Sequence, residues 1–184
     1  MRNLIFETIT KVAMAAGLPA GTDGKPPIYE APVEIKDALL PNPRIEILLT
    51  KAPVKPVNTK LAKFATPEKE DTHRTVRTAL DQVIQPVRLS IVAKDENWLK
   101  DFAHSLHTGL PRSLADRHNN VVKVSVEAVD STGGGSKLVN VAIKKKLTKV
   151  FHLRFTGLVT RDSEVAWIKE ADINVDYKQE DKDA

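Results

Sequence analysis

Residues 86–110 constrain this chain more than any other stretch. Val87, Leu89, Ile91 and Ala93 alternate with Arg88, Ser90 and Lys94, the period-two pattern of a strand with one buried face. Asp95 then stands where a helix needs a side-chain acceptor, and Glu96 falls in the first turn, at the positive end of the helix dipole. Trp98, Leu99, Phe102, Ala103, Leu106 and Leu110 recur at helical spacing up to Gly109 and Pro111. A strand that feeds directly into an amphipathic helix must bury both apolar faces, so the chain needs a layered fold with helix packed on sheet.

The remaining segments are read against that unit. Leu4, Ile5, Ile9, Val12, Ala13 and Ala16 form one stripe of an opening helix, with Gly17 as its stop and Pro19 just beyond. Residues 21–27 (GTDGKPP) read as a loop. Ile45, Ile47 and Leu49 alternate in a strand over residues 43–51, and residues 28–37 suggest a shorter strand that Pro32 confines to an edge. From residue 52 to about 74 the apolar period is lost among Pro53, Pro56, Pro67 and several lysines. This stretch is expected to be an extended arm rather than part of the core, with residues 75–85 as the return strand of a long hairpin. The second half is β-rich, with a turn at Asn119-Asn120 and an alternating segment over 121–130. A flexible connection follows at 132–136 (TGGGS), then strands over 138–146, 149–160 and 165–177. In the middle one Phe151, Leu153, Phe155 and Val159 share a face. The expected fold is α+β: a mostly antiparallel sheet packed by two amphipathic helices, with a long extended arm or hairpin. One domain over residues 1–184 is expected, with 52–85 as an extended loop or arm inserted within it.

The 184 residues include no cysteine, which removes disulfides, thiolate metal sites, iron–sulfur clusters and cysteine nucleophiles together. Glu7, Thr8, Thr10 and Lys11 break up the opening segment, so it has no signal-peptide core. No run approaches the 18 or so apolar residues that cross a bilayer. A soluble protein of the cytosol, with no membrane partner, is the expectation. The net charge of +4 is unevenly spread. Lys137, Lys144, Lys145, Lys146, Lys149 and Arg154 fall in one acid-free stretch. Glu164, Glu170, Asp172, Asp176, Glu180, Asp181 and Asp183 crowd the last 21 residues against three lysines. Such polarity suits head-to-tail packing of identical subunits; two separately solvated faces would show the same pattern, and both readings stand.

A search for catalytic chemistry finds no constellation. His104 and His107 lie three apart on the second helix, but they flank its apolar stripe and no carboxylate completes a ligand set. His73, His118 and His152 share no pattern. Asp116 and His118 beside Asn119 and Asn120 describe a solvated turn. Ser105, Ser113 and Ser163 lack a nucleophile-elbow context. The three glycines of TGGGS precede a strand, whereas a phosphate loop must open a helix. Lys144, Lys145, Lys146, Lys149 and Arg154 near Phe151 and Phe155 could serve a nucleic acid, yet the two phenylalanines also match the core-facing alternation. No enzyme activity, cofactor or metal is expected, and nucleic acid is the lesser candidate as partner.

In the order of its elements the chain resembles the tail-terminator (tail-completion) proteins of tailed bacteriophages and related tail-like particles. The likeness is carried by MRNLIFETITKVAMAAGLP, PNPRIEILLT, PVRLSIVAKDENWLKDFAHSLHTGLP and FTGLVTRDSEVAWIKEADINVDY. It implies a non-enzymatic α/β virion protein that forms a ring, a hexamer in that family, capping the tail tube and sheath. Such a protein lies in the tail or neck of the virion, and in the host cytoplasm during assembly, and helps join tail to head. Its partners would be further copies of itself and tube, sheath or connector proteins. The resemblance makes residues 52–85 a subunit-bridging arm. It adds Lys55, Lys60 and Lys63 to Lys144, Lys145, Lys146, Lys149, Arg154, Glu164, Glu170, Asp172 and Asp176 as interface candidates. The arm and the TGGGS-tipped hairpin exceed what the minimal fold needs, which keeps a baseplate or other tube-associated role open.

Overall fold

Two very long strands set the architecture. The computed structural model describes residues 1–21, 23–33, 40–65, 73–133 and 147–166. In chain order these form α1 (Arg2–Ala15), β1 (Ile28–Glu30), β2 (Arg44–Leu49), β3 (Val54–Ala65) and β4 (His73–Ala93). There follow α2 (Glu96–Gly109), β5 (Ser113–Ala115), β6 (Val121–Gly133) and β7 (Leu147–Ala166). Strands β4 and β7 pair antiparallel along their whole lengths, from His73↔Ala166 to Ala93↔Leu147. The sheet order is β1-β2-β4-β7-β6-β5. Strands β2 and β3 divide the other edge of β4: β2 lies against residues 87–92 and β3 against 74–83. Among the described strands only β1 runs parallel to its neighbour. The fold is α+β, with a curled, half-barrel sheet and two helices.

The helices form where their caps and stripes require. Asp95 accepts hydrogen bonds from the backbone N–H of Asn97 and Trp98 at 2.8 and 3.1 Å, capping α2. Its stripe buries Leu99, Phe102, Ala103 and Leu106, and the rings of Trp98 and Phe102 stack at 4.6 Å. Helix α1 ends as Gly17 predicts. That glycine sits at φ +96°, its N–H reaches Met14 O at 3.1 Å, and the Leu18 N–H reaches Ala13 O at 2.9 Å. These are the paired bonds of a Schellman motif, and Leu18, 3% exposed, supplies its apolar anchor. Both helices pack on one half of the sheet. Ile5, Ile9, Val12 and Ala13 meet Ile45 and Ile47 of β2, Val87, Leu89 and Ile91 of β4, Val122 and Val124 of β6, and Phe151, Leu153 and Phe155 of β7 in a single core. Each such side chain contributes on the order of 1.5–3 kcal/mol when fully buried.

The other half of the sheet escapes that core. A 21-residue strand has a contour on the order of 70 Å, whereas a helix of 14 residues spans only about 21 Å. Two such helices cannot cover the whole strand. No residue of β3, of β4 before Val87 or of β7 after Phe155 enters the core under the helices.

Several expectations change accordingly. The stretch from residue 52 does not remain irregular: β3 is a 12-residue strand despite Pro56. Its hydrogen bonds come from β4, and no apolar layer covers it among the described residues, so no burial period appears in its residues. Val159 belongs by alternation with Phe151, Leu153 and Phe155 but is 44% exposed, because the helices have ended by that point. Strand β7 runs unbroken from 147 to 166, joining the segments expected at 149–160 and from 165. The short strands β1 and β5 lie at the two sheet edges, as Pro32 suggests for the first. The strand expected at 138–146, the glycine tip at 134–136 and the chain beyond 166 lie outside the described residues.

Candidate interaction surface

Strand β3, residues 73–83 of β4 and residues 157–166 of β7 make a three-stranded antiparallel ribbon that continues past the helices. In its central strand Val76 and Ala79 are buried, at 5% and 0% exposed, whereas the larger apolar side chains of the two flanking strands stand open. Val54, Val57, Leu61, Phe64, Val159 and Val165 are 40–56% exposed. They are six of the ten large apolar side chains exposed among the described residues. Apolar groups gathered on one exposed element mark a surface that meets another molecule.

A polar clamp holds the base of the ribbon. Arg77 on β4 lies directly across from Asp162 on β7. Its Nε and NH2 donate to the two carboxylate oxygens at 2.8 and 2.7 Å, the bidentate geometry that favours arginine over lysine. Its NH1 donates to the His118 carbonyl at 3.2 Å, which ties the ribbon to the turn between β5 and β6. That turn is organised by Asp116. Its Oδ1 accepts the backbone N–H of His118 and of Asn120, both at 2.8 Å, and its Oδ2 accepts the Asn120 side-chain amide at 3.2 Å. Asn120, 8% exposed, also donates to Thr160 Oγ1 at 3.1 Å. Asn119 sits at φ +63°, a conformation asparagine tolerates better than most residues. Burial pushes the Asp116 carboxyl up, but the hydrogen bonds from Asn120 and His118 outweigh it and leave the group below its ordinary value. The Arg77 hydrogen bonds hold Asp162 below the usual carboxylate range. On β3, the Phe64 ring lies 5.5 Å from the same guanidinium, a cation–π contact that joins all three strands.

Gly157 stands where the core gives way to the ribbon. A Cβ there would come within 2.8 Å of Met1 Cε and 3.2 Å of Val122 Cγ2, so the N-terminus of α1 and β6 close on β7 at this point because the residue has no side chain.

The structure sorts the interface candidates. Lys55, Lys60 and Lys63 are exposed along β3 and enter no ion pair among the described residues. Glu164 is exposed on β7 opposite Thr75, two strands away from Phe64. Lys149 is half-buried beside Ile91 in the helix-covered half. Arg154 forms an ion pair with Glu127 of the adjacent strand, so its charge is engaged within the sheet. Lys144, Lys145, Lys146, Glu170, Asp172 and Asp176 lie outside the described residues. The ribbon thus brings Lys55, Lys60, Lys63 and Glu164 onto one element and leaves Lys149 and Arg154 elsewhere. Arg77 and Asp162 carry no motif in the sequence and meet only through strand register, whereas Asn120 belongs to the turn expected at 116–120 and is buried there rather than solvated.

The catalytic candidates stay apart. His104 and His107 are exposed on α2, the latter 6.3 Å from the Phe151 ring between centroids. His152 meets Asp130 at 3.1 Å on neighbouring strands. No group of three or more metal-ligating side chains occurs among the described residues. Phe151 and Phe155 are 1% and 0% exposed, so their faces serve the core and not a nucleic-acid base. A groove of about 570 Å³ between α1 and α2 includes Lys11 but is otherwise walled by Val12, Ala16, Thr108, Pro111 and Leu114, among others. A second, of about 620 Å³, opens at the start of α1 beside the 116–120 turn. There Arg2 is turned to Glu30 and the Asp116 carboxylate is taken up by its own turn. No described helix is long and apolar enough to cross a membrane. No family model matches the chain, and no curated protein matches its sequence.

Proposed function

We propose that this chain is a non-enzymatic structural protein that works by joining copies of itself and neighbouring proteins. We place it at the end of a phage-type tail, as a ring-forming terminator or neck component that helps join tail to head. The observation that carries the assembly reading is the uncovered ribbon, with Val54, Val57, Leu61, Phe64, Val159 and Val165 exposed along it. Burying those side chains against a neighbour supplies the favourable term that association needs. The tail assignment follows from the likeness in element order; a baseplate position has the same support. The test is mass measurement in solution across a concentration series, followed by negative-stain imaging. Rings, or incorporation into tail particles, are the expected result, and a strict monomer that joins no particle opposes it.

One observation favours a second reading. Lys55, Lys60, Lys63 and Phe64 are exposed on one strand, a combination of cations and an aromatic ring that can also serve a single-stranded nucleic acid. A gel-shift titration separates the two, because phosphate-driven binding weakens steeply with salt.

A further inference from the structure

Strand β3 is held to the molecule by one edge. Its inner edge pairs with β4, and its outer edge has no strand beside it among the described residues. Every residue from Val54 to Phe64 is exposed, so both faces of the strand are open as well as the edge. A row of unpaired N–H and C=O groups is a template for a further strand. We propose that the outer edge of β3 receives residues 170–177 of a second copy of this chain as an added strand. The inference rests on the assembly reading and deepens it by naming the strand and the segment that meet.

The pairing with β4 sorts the far part of β3 into two unlike faces. Lys60 stands opposite Thr78 and Lys63 opposite Val76. Thr78 and Val76 are two apart on β4 and share a face, so the two lysines share it as well. Ala62 stands opposite Arg77 and Phe64 opposite Thr75, which puts them on the other face, where the Phe64 ring lies 5.5 Å from the Arg77 guanidinium. The register shift between Lys60 and Ala62 makes Leu61 the extra residue. That bulge sets both lysines on one side although they are three apart in the chain. Neither lysine enters an ion pair among the described residues. Pro56 has no N–H to offer, so the acceptor is the stretch beyond it.

Residues 170–177 (EADINVDY) lie outside the described residues, and their order is the complement of that edge. Glu170, Asp172, Asn174 and Asp176 alternate with Ala171, Ile173, Val175 and Tyr177. Extended, the segment carries three acids and no base on one face and four apolar side chains on the other. Laid beside β3, its acids fall next to Lys60 and Lys63, while Ile173, Val175 and Tyr177 fall next to Ala62 and Phe64. Opposite-charge and apolar cross-strand pairs both stabilise a ladder, and main-chain bonds with matched alternate side chains are how an extended segment adds to a sheet. The lysines also discriminate. They repel the β3 edge of another copy, where lysine would meet lysine, and admit an acidic strand. The exposure of β3 along its length leaves this edge to the segment of another copy rather than to its own. Because the contact joins two different parts of the chain, copies that give to one neighbour and accept from another close into a ring.

The chain has no cysteine, so single-cysteine variants of the full chain report the contact without background. Ala62→Cys and Lys63→Cys on β3 are each mixed with Ile173→Cys, Asn174→Cys or Val175→Cys and oxidised; disulfides need Cα atoms within about 7 Å. Ala62→Cys should link to Ile173→Cys or Val175→Cys, and Lys63→Cys to Asn174→Cys, with the combinations that cross faces left unlinked. A second measurement needs no cysteine. Lys60→Glu with Lys63→Glu, and separately Asp172→Lys with Asp176→Lys, should each abolish self-association in sedimentation, and an equal mixture of the two variants should restore it. An oligomer that links across faces or not at all, or that persists in both charge variants, overturns the strand exchange and leaves the assembly reading standing. The same holds for a chain carrying both Ala62→Cys and Ile173→Cys that links to itself at high dilution, since the segment would then close its own edge. A chain that stays monomeric at all concentrations overturns both readings.

Discussion

Arg77 and Asp162 face each other across β4 and β7, joined by two side-by-side hydrogen bonds of 2.8 and 2.7 Å. They lie beyond the last core residues of both strands, so they hold a part of the sheet that the helices do not reach. A third hydrogen bond from Arg77 to the His118 carbonyl makes the pair the link between ribbon and body. The ribbon is therefore fastened in good part by a polar clamp, set beside the buried Val76 and Ala79, and its behaviour should differ from that of the core.

Replacing Arg77 with Met keeps most of the side-chain volume and removes all three hydrogen bonds. Amide exchange should quicken in residues 73–83 and 157–166, while Leu89, Ile91 and Phe151 remain protected. Local opening of a weakly packed unit produces that pattern. Uniform acceleration across the sheet in a hydrogen-exchange experiment would show that the clamp supports the whole fold instead.

Acid should act at the same place. Asp162 is held low by its hydrogen bonds with Arg77, Glu30 by those with Arg2, and Asp116 by hydrogen bonds that outweigh its burial. A carboxyl whose folded value lies below its unfolded value of about 4 binds fewer protons when folded. Its stabilising effect is complete above that unfolded value and is lost as pH falls through the folded one. Denaturant midpoints should accordingly be insensitive to these three groups between pH 6 and pH 8, and should drop below about pH 4. In Asp162→Asn the acid-induced drop should be smaller. An unchanged acid limb in that variant would remove Asp162 from the account.

Truncation should separate the two halves of β7 and the ribbon beside it. Phe155 is fully buried, and Phe155→Ala should cost about 3–5 kcal/mol of stability. Phe64 is 41% exposed, and Phe64→Ser should change monomer stability by only about 0.5 kcal/mol while weakening self-association. Thermal melts and sedimentation read the two effects separately, and a large loss of monomer stability from Phe64→Ser would place that ring in the fold rather than at a contact.

The cap of α2 offers a local check. Asp95→Ala removes the acceptor for the Asn97 and Trp98 N–H groups and should cost about 1 kcal/mol. Asp95→Asn should cost much less. Equal losses in the two variants, measured by urea unfolding, would mean that the carboxylate charge matters more than the hydrogen bonds.

Local chemistry was enough for the elements whose signals are local. The Asp95 cap, the stripe from Leu99 to Leu106, the Gly17 stop and the alternation of Val87, Leu89 and Ile91 each depend on residues within a few positions of one another. The two helices, the core-facing strands and the α+β class follow from them. Nothing comparable marks β3: its partner is β4 and no apolar layer covers it among the described residues, so neither period nor propensity announces a strand across Pro56. Register, bulges and the absence of covering helices decide that Val159 is exposed while Phe155 is buried four residues earlier, although alternation treats them alike. They also decide that Arg77 meets Asp162, 85 positions away in the chain. Such pairings are properties of the assembled sheet, because which side chains share a place depends on where distant strands stop and what lies on top of them.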